Sequence, residues 1–290
     1  LSAGSNYAIS FTESDFAVTA KPISVTADSK TKIYGSADPA LTYTFLPGLV
    51  GSDAFTGALS RTAGENVGSY AIGQGSLSAG PNYAISFTES DLAVTAKPIA
   101  VTADSKTKAY GSADPVLTYT FSPGLVGSDY FTGALSRTAG ENVGSYAIEQ
   151  GSLSAGSNYA ISYTETNLIV TAKAIAVTAD SQTKIYGSAD PVLTYTFSPG
   201  LVGSDAFTGA LSRTAGENVG SYAIGQGTLS AGSNYAISYT ESNLAVTAKP
   251  IAVTADSQTK IYSSADPVLT YTFSPGLVGS DAFTGALSRT

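Results

Sequence analysis

The side chains that could do chemistry are few, and they recur. Arg61 and Glu65 return as Arg137/Glu141 and Arg213/Glu217, a spacing that suits a salt bridge within one loop or a glutamate capping backbone amides. Asp28, Asp38, Asp53 and Asp91 form a repeated carboxylate set, although the copies of Asp91 are Asn167 and Asn243. Calcium takes roughly six to eight oxygen ligands and could use such a set. No Asp-x-Asp-x-Asp-Gly or Gly-Gly-x-Gly-x-Asp run supports that reading, and Asp38-Pro39 reads more simply as a residue holding its own turn. Lys32, Asn82 and Glu89 have the residue types of an internal Lys–Asn isopeptide bond. The plainer reading of Lys32 is an exposed lysine that guards an edge strand against aggregation.

The chain has no His and no Cys. A hydrolytic triad built on His, a thiol nucleophile and an ordinary zinc site are therefore not expected. No phosphate-cradling Gly-x-x-x-x-Gly-Lys-Ser/Thr loop occurs. A two-carboxylate enzyme would have to repeat its site nearly unchanged in adjacent copies. The expectation is a non-enzyme with no catalytic, cofactor-binding or metal-binding residues. The formal net charge is −8, spread evenly, with no basic stripe, so nucleic acid is not an expected partner. The acidity reads as solubility and repulsion between chains. No apolar run approaches the ~20 residues of a membrane helix, and Leu1-Ser2-Ala3-Gly4 lacks the character of a secretion signal.

These residues sit in a repeat. Tyr34-Gly35-Ser36-Ala37-Asp38-Pro39 returns at Tyr110, Tyr186 and Tyr262, at a constant interval of 76 residues. The period places complete modules at 22–97, 98–173 and 174–249. Residues 1–21 match the end of a preceding module and 250–290 the first half of a following one. A 76-residue module buries roughly 60% of its extended-chain surface and is large enough to fold. The period exceeds that of common solenoid units, which favours small domains in tandem.

Within one module, Ile23–Ala27 alternates apolar and polar residues and predicts a half-buried strand. Lys32–Tyr34 predicts a short strand, broken by Gly35 and Pro39. Leu41–Phe45 is the clearest strand pattern. Ser52 or Asp53 could cap one turn of helix before Leu59, or Phe55, Gly57 and Leu59 could alternate in a strand. Ser69–Ile72, Asn82–Thr88 and Leu92–Ala96 predict further strands, and Gly73–Pro81 a Gly/Ser-rich connection. About seven strands between frequent turns predict an all-β fold, an elongated tandem array of small β-sandwich or β-roll modules. Tyr43, Phe45, Phe55, Tyr70, Tyr83 and Phe87 are expected to point inward and to supply much of the core. The alternative for these rings is a carbohydrate-stacking face. Modules meet through Lys97 alone, stiffened by Pro98, with no flexible linker. Lys21-Pro22 and Lys249-Pro250 repeat this joint, while Lys173-Ala174 departs from it. Modules of about 30 Å placed end to end would reach on the order of 120 Å.

The spaced blocks Lys32-Ile33-Tyr34-Gly35, Asp38-Pro39-x-Leu41-Thr42-Tyr43, Gly48-Leu49-Val50…Asp53, Gly57-x-Leu59-x-Arg61, Gly64-Glu65-Asn66-Val67-Gly68-x-Tyr70-x-Ile72 and Asn82-Tyr83 resemble the MBG repeat of the YGX type. The resemblance covers the whole chain. It implies a mostly-β, glycine-rich domain of large, secreted, repetitive bacterial surface proteins that resemble adhesins and filamentous haemagglutinins, and it assigns no catalytic residues. Ser263 stands where the motif has Gly, which questions whether that turn requires positive φ. The resemblance points to an extracellular stalk or filament at the bacterial surface, with the other modules of the chain as partners. Two alternatives remain: a fibre subunit joined to identical chains by strand addition, and a multivalent carbohydrate-binding array. Residues 1–20 and 250–290 together would lack the strand equivalent to Ser69–Ile72, which counts against the fibre.

Overall fold

The computed structural model describes residues 1–289 of the chain. It is all-β. The first copy contains seven strands: β1 Lys21–Ala27, β2 Lys30–Ile33, β3 Tyr43–Leu46, β4 Ser60–Arg61, β5 Gly68–Gly73, β6 Tyr83–Thr88 and β7 Ser90–Thr95. They form a three-stranded sheet in the order β3-β1-β6 and a four-stranded sheet in the order β2-β7-β5-β4. No helix long and apolar enough to cross a membrane occurs among the described residues.

A parallel register organises the copy. Lys21–Thr26 of β1 lies beside Tyr83–Thr88 of β6, and Lys30–Ile33 of β2 lies beside Leu92–Thr95 of β7. The offset between the segments stays the same across both sheets. Two stretches of chain therefore run side by side and pass together from the first sheet to the second, one through Asp28-Ser29 and the other through Glu89. Alternation sets the faces. In β1, Ile23, Val25 and Ala27 are buried while Pro22, Ser24 and Thr26 are exposed. Pro22 is tolerated near the start of its strand.

The core is aliphatic. Ile23, Val25, Leu77, Ala79 and Tyr83 form one cluster, and Ala27, Ile72 and Leu92 a second. Leu59 and Phe87 pack against both. The rings are less central than their alternation suggested. Tyr83 is buried, whereas Tyr43, Phe55, Tyr70 and Phe87 are half-buried. Phe45 is 40% exposed because β3 is an edge strand. Tyr43, Phe45 and Phe55 cluster along that edge, with Phe45 and Phe55 edge to face, their centroids 4.9 Å apart at 70°. Leu77 and Ala79 come from the Gly/Ser-rich connection, where no periodicity announced them. The stretch after Asp53 forms no helix: the Asp53 N–H closes a turn on Val50 O at 3.1 Å, and Thr56 bridges to Ser78. The strand expected at Leu41–Phe45 is shifted to Tyr43–Leu46.

The second copy contributes β8 Lys97–Ala103, β9 Lys106–Ala109, β10 Tyr119–Ser122, β11 Ser136–Arg137, β12 Gly144–Glu149, β13 Tyr159–Thr164 and β14 Thr166–Thr171. The third contributes β15 Lys173–Ala179, β16 Gln182–Ile185, β17 Tyr195–Ser198, β18 Ser212–Arg213, β19 Gly220–Gly225, β20 Tyr235–Thr240 and β21 Ser242–Thr247. Ala96 alone separates β7 from β8, and Ala172 alone separates β14 from β15. The joint residue is thus the alanine, and Lys97 and Lys173 already belong to the next strand. The fourth copy forms β22 Ala252–Ala255 and β23 Tyr271–Ser274, and residues 1–20 form no strand.

Two compact units emerge. One comprises Leu1–Ser105, Val116–Thr138 and Ala147–Asn167, and the other Lys106–Pro115, Ala139–Tyr146 and Leu168–Thr290. The first unit holds the whole first copy and the three-stranded sheet β10-β8-β13. The second holds the parallel pairing of β9 with β14, and the third copy's sheets β17-β15-β20 and β16-β21-β19-β18. Each unit thus contains a place where one copy meets the next.

Leu92 is fully buried at the centre of the second cluster, so Leu92→Ala is expected to cost about 2–5 kcal/mol. Phe45→Ala, at an exposed edge, is expected to cost less than Leu92→Ala. Urea unfolding of the two variants measures the difference.

Candidate functional site

Two polar constellations recur along the chain. The first is a ring of four charges, shown in full in the first and third copies. Lys32 Nζ contacts Asp38 Oδ1 at 2.6 Å and also Glu65. Arg61 Nε contacts Asp38 Oδ2 at 2.6 Å, and its Nη2 reaches Glu65. Each cation thus touches both carboxylates. Arg61 Nη1 also donates to Thr62 O at 2.9 Å and Gly64 O at 2.6 Å, and the guanidinium lies 5.5 Å from the Tyr70 ring centroid. Gly64 has φ +148, and a Cβ there would lie 2.0 Å from Tyr70, so only glycine lets the loop close over that ring.

Register explains the placement. Lys32 lies opposite Val94 and Arg61 opposite Ile72, on the face of the sheet that carries Leu92. β2 and β4 are the two edges of that sheet. The charges therefore tie its edges together across its inward face. The Lys32 side chain is only 3% exposed, so the edge-guarding, solvent-facing lysine expected from sequence is not found. A buried ammonium needs partners, and the two carboxylates supply them. The Lys32 ammonium is taken up by Asp38 and Glu65, while Asn82 and Glu89 are exposed, an arrangement unlike the buried Lys–Asn pair of an isopeptide site.

The hydrogen bond from Arg61, then that from Lys32, holds Asp38 down at about 2. Lys32 is raised, first by Asp38 and then by Glu65. Both shifts favour the charged pair, and Lys32 is thereby held as the ammonium, opposing the neutral amine that an isopeptide bond would need. The ring recurs in the third copy, with Lys184–Asp190 and Arg213–Asp190 both at 2.6 Å, and in the second copy Lys108 meets Asp114 at 2.6 Å. The other carboxylates lie apart from it. Asp28 accepts from Thr42 Oγ1, Asp53 accepts from the Tyr83 hydroxyl at 2.6 Å, and Asp91 is exposed on β7. Among the described residues, no three His, Cys, Asp or Glu side chains converge to hold a metal ion.

The second constellation is a joint between successive copies. In the first unit, the Tyr34 hydroxyl donates to Asp129 Oδ2 at 3.0 Å. The same oxygen accepts from the Tyr159 hydroxyl at 2.5 Å, and that phenol in turn accepts from the Val126 N–H at 2.8 Å. The Tyr34 and Tyr159 rings meet edge to face, 5.4 Å apart at 80°. Tyr34 also packs against the second copy's core of Ile99, Val101 and Leu153. Gly35 lies against Val126. Asn158 Oδ1 accepts from the Val67 N–H at 2.9 Å, and Asn158 Nδ2 donates to Asn66 Oδ1 at 2.9 Å.

The second unit repeats the arrangement. Tyr110 donates to Asp205 at 2.9 Å and meets Tyr235 at 5.4 Å. Val143 N–H and Asn142 engage Asn234. Tyr186 reaches Asp281 at 2.9 Å in the same way. The Asp129 carboxylate raises Tyr34, with burial adding to it. Burial first, then the same carboxylate, raises Tyr159. Both phenols are thereby kept as donors.

The spaced motif now divides in two. Lys32, Asp38, Arg61 and Glu65 build the ring. The Tyr34-Gly35, Val50…Asp53, Asn66-Val67 and Asn82-Tyr83 positions build the joint, each copy giving the first and third blocks and receiving on the second and fourth. The sequence model of the MBG domain (YGX type) matches residues 23–93, 99–169, 175–245 and 251–290. The chain belongs to that family. Searches of curated proteins and of solved structures return no match. In this MBG array, the Tyr-Gly of the YGX signature is the element that docks one repeat on the next. Sequence reading placed Asn82 near Lys32; its counterpart Asn158 works at the joint instead.

Two outcomes follow. Asp38 has an unperturbed value of 3.8 and is held at about 2 in the fold, so its contribution is present above pH ~4 and is lost as pH falls towards 2. The denaturation midpoint of the chain is expected to drop across that window, and to drop less in Asp38→Asn/Asp190→Asn. At the joint, Asp129→Ala removes the acceptor of two hydroxyls, one of them on a buried tyrosine. It is expected to cost about 1–2 kcal/mol of stability, read by urea unfolding.

Proposed function

We propose that the chain is a non-catalytic, extracellular structural repeat that forms part of a stiff stalk or filament of a bacterial surface adhesin. The observation that carries this reading is the joint. Within each unit the Tyr-Gly turn of one copy is packed into the core of the next, and a single alanine connects their strands. Membership in the MBG family, a repeat module of surface proteins, supports it. A spacer needs many like joints and no individual site, and near-identical copies meet that need. Each polar constellation is accounted for by holding a copy together or by holding it to its neighbour. The partners in this reading are the other repeats of the chain.

Small-angle scattering of the 290-residue chain tests it. A compact globule of this length would have a radius of gyration of about 19 Å. Modules stacked end to end over ~120 Å would give about 35 Å, and a rod-like profile near that value is expected. A value near that of the globule, or the profile of freely jointed beads, would overturn the stalk.

A further inference from the structure

The joint glycine has two separable duties, and the fourth copy separates them. Gly35, Gly111 and Gly187 adopt φ of 81°, 77° and 81°. Ser263, at the same place in the fourth copy, adopts φ 67°. Its turn closes as the others do, with the Ser264 N–H donating to Ile261 O at 3.0 Å, the same length as Ser36 N–H to Ile33 O. Left-handed backbone is costly for serine, yet the turn forms. Backbone conformation alone therefore does not explain why the other three copies carry glycine.

The remaining explanation is contact. A Cβ on Gly35 would lie 2.4 Å from Val126 Cγ2, 3.2 Å from Cγ1 and 3.4 Å from Cβ. Gly111 against Val202 and Gly187 against Val278 give the same closest distance of 2.4 Å. Valine is branched at Cβ and stiff about χ1, so it has no distal end to swing aside. Backing the turn away would lengthen the Tyr34–Asp129 hydrogen bond and separate the Tyr34 and Tyr159 rings. The valine is itself shielded by the turn. Val50, which no Tyr-Gly turn covers in the structure, is 58% exposed, whereas Val126, Val202 and Val278 are half-buried.

We infer that the residue after the signature tyrosine selects which repeat can dock: glycine admits a repeat with valine at the Val126 position, and the Tyr262-Ser263 turn fits a repeat whose residue there is no larger than alanine. A repeat with valine at that position is therefore not expected to dock on the fourth copy's turn. This goes beyond the stalk reading and stands on joint geometry alone, whatever the array does.

The test transplants the fourth copy's residue into the first joint of the full 290-residue chain, as Gly35→Ser against Val126. The readout is the exchange rate of the Val67 amide, which donates across the joint to Asn158, measured by NMR in a chain isotopically labelled in its first repeat. Gly35→Ser is expected to speed that exchange about tenfold or more while the amides of β5 and β7 keep their rates. Gly35→Ser/Val126→Ala is expected to return it to within about twofold of the parent. Val126→Ile, which adds bulk from the other side and leaves the turn untouched, is expected to open the joint as well. An unchanged Val67 rate in Gly35→Ser or in Val126→Ile would overturn the inference. So would acceleration that Val126→Ala does not relieve, because strain in the turn would then be the cause.

Discussion

One carboxylate oxygen that accepts two phenol hydroxyls from different copies is the constraint on which this molecule turns. Asp129 receives Tyr159 from its own copy and Tyr34 from the one before. Tyr159 is fixed at one end by the Val126 N–H and at the other by the ring of Tyr34. The position of one tyrosine therefore depends on the other. The second copy receives a Tyr-Gly turn from the first and gives one to the third, so its core includes a side chain that it does not encode. Such coupling between nearest neighbours is how repeat arrays gain stability beyond that of the single unit.

The parallel register puts the turn where it is needed. β2 ends at Ile33, one residue before the signature tyrosine, and the Tyr34 N–H donates to Thr95 O at 2.8 Å. The chain passes through Ala96 into β8, whose first residue donates its N–H to Asn158 O at 2.9 Å. The segment that positions Tyr34 thus also begins the sheet that contains its partner. The charge ring has a different task. The four-stranded sheet buries Ile72 and Leu92 against the rest of the copy, while Val94 and Tyr70 on the same face lie beside Lys32 and Arg61. A closed set of two cations and two anions satisfies the buried lysine and joins both sheet edges, in a chain with no cysteine for a disulfide.

Much of the fold was legible because alternation carries it. Ile23-Val25-Ala27 and Leu92-Val94 read directly as strand faces, and the pairing of Arg61 with Glu65 followed from their spacing. Three features were not legible, each for a physical reason. Leu77 and Ala79 belong to a connection, and a core residue outside a strand leaves no period to detect. Lys32 looked like a surface charge because the sequence does not reveal that Asp38 and Glu65 converge on it from two loops. The joint was hidden by the repeat itself. With a constant 76-residue interval, Tyr34 meeting Asp53 and Tyr34 meeting Asp129 are equivalent statements in sequence, and only coordinates choose between them.

The sequence alone determined the period, the all-β character and the alternation that sorts inward from outward side chains, because these follow from local spacing and backbone preference. It could not determine which copies of a strand pattern form strands, because a strand is a relation to a partner. Asn6-Tyr-Ala-Ile-Ser-Phe-Thr12 and Asn82-Tyr-Ala-Ile-Ser-Phe-Thr88 are the same seven residues. The second contains β6, paired along β1, while the first, with no such partner among the described residues, is exposed coil. Val25 and Val253 occupy the same place in the repeat, yet the former is fully buried and the latter is 47% exposed. Tertiary structure decided these outcomes because backbone hydrogen bonds and apolar burial form only where a second stretch of chain arrives to meet the first.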